Sequence, residues 1–136
     1  MSRLRAAAAG AAGTLVWAAL EPVDKRLFRH DYSDVAVLGK LVTRSRAWPL
    51  VGLVAHAANG AVFGLAAEEL RRRRSIGPLR LALIEHTALF PLGYVVDRLH
   101  PARGQPGLAP LFTVRAFAQA TARHALFGIV LRRLNR

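Results

Sequence analysis

Cysteine is missing from all 136 residues. Disulfides, thiolate metal sites and cysteine nucleophiles are therefore excluded. Acid is scarce as well: eight Asp and Glu stand against twenty Lys and Arg, a formal net charge of +12. A surplus of that size calls for an anionic partner, either nucleic acid or a membrane surface. Aromatics make up only 7% of the chain, and they are not interleaved with the basic residues as a nucleic-acid surface requires. Nucleic acid is thereby disfavoured. No GxSxG sequence supplies a hydrolase nucleophile. Neither HxxxH nor ExxH occurs, which removes the spacing usual for a metal site inside a helical bundle.

Charge is absent altogether from 47–67, AWPLVGLVAHAANGAVFGLAA. A helix needs about 20 predominantly apolar residues to cross a bilayer. Gly52, His56, Gly60 and Gly64 recur every four residues, so they share one face of that helix. A seam of small and polar residues on an apolar helix suits close packing within a membrane. Trp48 stands where the segment begins, the interfacial position its ring prefers. Arginine flanks the apolar runs at 71–74 and at Arg132, Arg133 and Arg136, as anchors for anionic headgroups do.

Three further segments fit the same reading. The first covers 4–28; its apolar part, unbroken from Ala6 to Leu20, is short for a full span, and if the helix continues past Pro22, Trp17, Glu21, Asp24 and Phe28 share a face. Arg3, Arg5 and the Ala-rich run imitate a secretory signal, but Glu21-Pro22-Val23-Asp24 follows without a clear processing site, so a retained helix is expected. The third covers 76–96, where Pro91 removes the hydrogen bond to Thr87 and predicts a kink. The fourth covers 108–131 and carries Arg115, Gln119 and Arg123 as a polar stripe. Between the first two, 35–42 is too short to span and reads as an interfacial helix. Val23-Asp24-Lys25-Arg26-Leu27 against Val96-Asp97-Arg98-Leu99, and Val62-Phe63-Gly64 against Leu126-Phe127-Gly128, hint at two related hairpins.

The expected fold is all-α: one domain, residues 1–136, a small polytopic membrane protein built as a four-helix bundle. The arginines at 71–74 place the termini on the cytoplasmic side of the cell membrane.

Ionisable groups inside spans are costly and turn to a bundle interior or a wet cavity. Glu21, Asp24, His56, Glu85, His86, Asp97, Arg123 and His124 are those groups, with Asn59 and Gln119 as hydrogen-bonding companions. Arg123 is expected to seek Glu85 or Glu21, because an unpaired buried charge is expensive. The leading expectation gives this His/Glu/Arg network a role in helix packing or assembly. The chemical alternative makes Glu85 or His86 a base with His56 or His124 as partner, in an enzyme or a proton-coupled transporter. A haem or metal subunit would use His56, His86 and His124. The sequence assigns no cofactor. The expected partners are anionic membrane lipids at the arginine clusters, and a second copy or another membrane protein on the Gly52, Gly60 and Gly64 face. Should the segments not span, the chain would be a peripheral basic protein.

Overall fold

A computed structural model describes residues 2–135. Among them all regular structure is helical: α1 Arg3–Phe28, α2 Asp34–Val42, α3 Trp48–Arg74, α4 Pro78–Leu89, α5 Leu92–Leu99 and α6 Val114–Leu134. α1 and α3 are long and apolar enough to cross a membrane. α4 and α5 meet that test together as one bent pair, with 53° between them at the break. That break falls at Phe90 and Pro91, as the missing proline donor requires.

α1 runs through Pro22 without interruption. Its last turn is held from outside the helix, by Asp24 reaching α6 and Lys25 reaching Asp31. Arg29 closes it in the left-handed conformation, φ 49°. α3 continues past the apolar run to Arg74 because Glu68 and Glu69 pair with Arg71, Arg72 and Arg73 one turn on. The fourth helix begins at Val114, not at 108, since Pro110 biases Ala109 away from helix and Thr113 caps the Ala116 amide at 3.1 Å.

α3 lies between α2 and α1; α1 in turn packs on α6, and α6 on α4. Glycine sets these spacings. A side chain on Gly10 would overlap the Gly60 carbonyl, and one on Gly64 the Ala6 carbonyl. Gly39 and Gly52 bring α2 equally close to α3. The face carrying Gly52, Gly60 and Gly64, expected to receive a second copy, is thus covered by α1 and α2 of the same chain. An oligomer through it would require those helices to part.

Gly64 of Val62-Phe63-Gly64 sits on Ala6 early in α1, and Gly128 of Leu126-Phe127-Gly128 sits on Leu79 early in α4. Phe63 and Phe127 then meet edge to face, 5.0 Å between centroids.

The connections at the opposite end are pinned together. Asp97 accepts from the Leu111 and Phe112 amides at 2.7 and 2.8 Å. His100 Nε2 donates to Val37 O at 2.9 Å, and Lys40 Nζ to Pro106 O at 2.7 Å. Asp31 accepts the Gly107 N–H at 2.8 Å, at a turn where Gly107 has φ 82°. That amide and Lys25 hold the Asp31 carboxyl below its usual range.

Candidate functional site

Polar side chains collect inside, while aliphatic ones face out. Thr14, Glu21, His56, His86, Gln119 and Arg123 are all buried, whereas Leu15, Leu20, Val54, Val62, Ile84, Leu92 and Ile129 are exposed. The buried polar groups form two adjoining clusters.

The first is built around Arg123, 2% exposed. Its Nε and Nη2 donate to Asp24 Oδ2 and Oδ1 at 2.5 and 2.6 Å, a bidentate fork. Nη1 donates to Asp34 Oδ2 at 3.0 Å and Nη2 also to Tyr32 O at 2.9 Å. The Tyr32 hydroxyl donates to the other Asp34 oxygen. Burial, and then Asp34, hold the Tyr32 phenol far above its ordinary pKa, so it remains a donor. Gln119, one turn before Arg123, donates to Asp24 at 2.7 Å and to His30 O at 3.2 Å. The cluster ties α1, α6 and the start of α2 together.

Its membership meets the sequence expectation in one part and corrects it in another. Glu21 does pair with Arg123, at 3.9 Å, but the close partner is Asp24, and Glu85 lies beside His124 instead. Asp24 wins because it sits one turn nearer the end of α1, level with Arg123 on the antiparallel α6. Asp34 carries little signal because it opens the short α2 from a polar stretch without periodicity. Its one signal was Tyr32-Ser33-Asp34 directly before an apolar run, the composition of a helix start. Ser33 does cap α2, accepting the Ala36 amide at 3.1 Å.

The second cluster lies on the other side of Tyr32 and Asp34, around a cavity of about 270 Å³. It brings together the four candidate residues His56, Glu85, His86 and His124, with Asn59 at an exposed edge. Trp17, unassigned by the sequence beyond its helix face, occupies the centre. Its ring meets His56 at 5.2 Å, His124 at 4.7 Å and Phe127 at 6.3 Å, all edge to face. His86 and His124 stack at 4.7 Å.

The hydrogen bonds fix which nitrogens are engaged. Thr121 gives its own proton to Phe117 O at 2.7 Å, so its oxygen accepts from His86 Nε2 at 2.9 Å. His124 Nδ1 faces the Ala120 carbonyl at 2.8 Å and therefore carries the proton of the neutral ring. The His124 Nε2 lone pair is left toward Glu85 Oε2, 3.8 Å away. One proton can be exchanged between them with a short approach or one intervening water. His56 Nε2 and Trp17 Nε1 are buried without any hydrogen-bond partner. Buried polar atoms are paired in the great majority of cases, so two on one cavity need an explanation.

Among the described residues no three His, Asp or Glu side chains are grouped to share a metal ion. Compared with known proteins, the chain matches no family, no curated protein and no solved structure.

Proposed function

We propose that the chain is an integral membrane protein whose internal cavity binds the polar head of an amphiphilic molecule. It crosses the bilayer four times, through α1, α3, the bent α4–α5 pair and α6, as a four-helix bundle with α2 at the interface. α6, with Arg115, Arg123, Arg132 and Arg133, is the least apolar of the four. It spans because Arg123 is neutralised inside by Asp24 and Asp34, while Arg115, Arg132 and Arg133 lie toward its ends. The outward Leu, Ile and Val side chains support this reading, being suited to acyl chains and costly in water. Basic residues stand at both ends, but the run Arg71 to Arg74 that closes α3 is the densest, which supports a cytoplasmic position for the termini in the cell membrane.

The two clusters then divide the work. The Arg123 fork spends its donors on Asp24, Asp34 and Tyr32, which is packing. The cavity keeps unused ones. The observation that carries the ligand reading is that Trp17 and His56, whose Nε1 and Nε2 have no hydrogen-bond partner, line the same cavity as the Glu85–His124 pair, so that a small turn of either ring brings its nitrogen to a ligand. Trp17 can only donate, so the ligand brings an acceptor oxygen. Phe63, Phe90 and Phe127 give flat apolar walls. A cavity of about 150 Å³ takes a benzene ring, so this one accommodates a substituted ring. The ligand is therefore a small hydroxylated or carbonyl-bearing ring on an apolar tail, and the tail leaves between α3 and α4, which scarcely touch. A second reading rests on the 3.8 Å Glu85–His124 approach: proton exchange with that oxygen, as an enzyme or transporter performs.

The test uses Trp17 as reporter in the full chain with Trp48→Phe. A brominated long-chain phenol quenches its fluorescence saturably, and His56→Phe, which fills space and removes the nitrogen, weakens the effect roughly tenfold, the worth of one hydrogen bond of about 1.4 kcal/mol. Quenching that rises linearly and equally in both chains would show simple partitioning and overturn the site.

A further inference from the structure

A second concavity lies on the outside of α4, away from the histidines. It is a groove of about 1050 Å³ floored by Leu83 and Ile84 and bounded by Arg71, Arg80, Arg132 and Asn135. Three helix ends converge there: the last turn of α3, the first of α4 and the last of α6. Its charge is one-signed. Glu68 engages Arg71 at 3.0 and 3.1 Å, but among the described residues no carboxylate pairs with Arg80 or Arg132. Gly77 opens α4 without a side-chain cap and no acid stands in its first turn, so the positive end of that helix adds to the rim. Asn135 Oδ1 is buried there without a donor.

From this juxtaposition we infer that the groove seats one anionic phospholipid. The phosphate lies between Arg80 and Arg132, which can meet its oxygens through planar forks. An acyl chain runs from there along Leu83 and the half-exposed Ile84. Free inorganic phosphate would use the two arginines and leave the apolar floor in water, so the occupant is the lipid. The seat is separate from the histidine cavity and does not depend on what that cavity binds.

Native mass spectrometry of the full-length protein, loaded from detergent with phosphatidylglycerol or phosphatidylcholine of equal chain length, tests it. With each arginine near the surface worth about 1 kcal/mol, phosphatidylglycerol is retained roughly 10- to 30-fold better. Arg80→Gln with Arg132→Gln abolishes the preference. Arg44→Gln with Arg46→Gln, the same loss of charge at the opposite end, preserves it. Millimolar inorganic phosphate does not displace the lipid. Equal retention of both lipids, a preference that survives loss of Arg80 and Arg132, or displacement by phosphate would each overturn the seat. If the double variant fails to fold, Ile84→Asn takes its place: it lowers retention of both lipids if the chain lies on Ile84, and unchanged retention overturns the inference.

Discussion

Arg123 closes its fork on both oxygens of Asp24, at 2.5 and 2.6 Å, from a helix that starts ninety residues later in the chain. Breaking one side of such a pair strands the other in a low-dielectric interior. Arg123→Leu leaves Asp24 and Asp34 together without a cation, and is expected to cost about 3–5 kcal/mol. Arg123→Lys restores charge but not the fork, and recovers only part. Thermal unfolding of detergent-purified protein measures both. A lysine variant as stable as the parent would mean that geometry is irrelevant there.

Gly10 and Gly60 mark the closest approach of α1 to α3. Alanine at Gly10 places a methyl group into the Gly60 carbonyl, and the backbones must separate. Overpacking of this kind costs about 1–3 kcal/mol. Gly77→Ala is the control, since a side chain there meets nothing within 4 Å. Equal unfolding temperatures for the two variants would contradict the described contact.

Asp31 supplies a pH dependence. Its folded pKa is held down by the Gly107 amide and Lys25, so the unfolded chain binds its proton more readily. The stabilisation is present above its ordinary pKa, about 3.9, and disappears as pH falls through the lower folded value. Asp31→Asn removes this slope. Unfolding temperatures from pH 7 downward should therefore converge for the two proteins under acid conditions, and curves that stay parallel would contradict the contact.

The helices were legible because their signals are periodic. Four-residue recurrence put Gly52, His56, Gly60 and Gly64 on one face, and that face is buried. Trp17, Glu21 and Asp24 likewise all turn toward the interior despite Pro22, with Arg123 touching the latter two. His56 and His124 stand inside α3 and α6, and Glu85 and His86 in the last turn of α4 just before the bend, so that the four lie around one cavity. Partner choice was less legible. Arg123 takes whichever carboxylate lies level with it, and that depends on helix offsets of a single turn and on Asp34, the first residue of α2. The start of α6 is obscured because 108–113 is apolar enough to look helical, although its amides serve Asp97 and Asp31 O instead. Trp17 had no signal as a cavity residue, because an aromatic on a helix face is ordinarily core.

The account rests most heavily on four crossings, and the absence of cysteine makes that directly measurable. Single cysteines at Ser2, Ser45, Ser75 and Gln105 introduce the only thiols, to be labelled with a membrane-impermeant maleimide in sealed vesicles of known orientation. Four crossings predict that Ser2→Cys and Ser75→Cys react from the cytoplasmic side, and Ser45→Cys and Gln105→Cys from the opposite one. Labelling of Gln105→Cys together with Ser75→Cys would show that the bent α4–α5 pair does not cross. Labelling of all four from one side would contradict the membrane-spanning account as a whole.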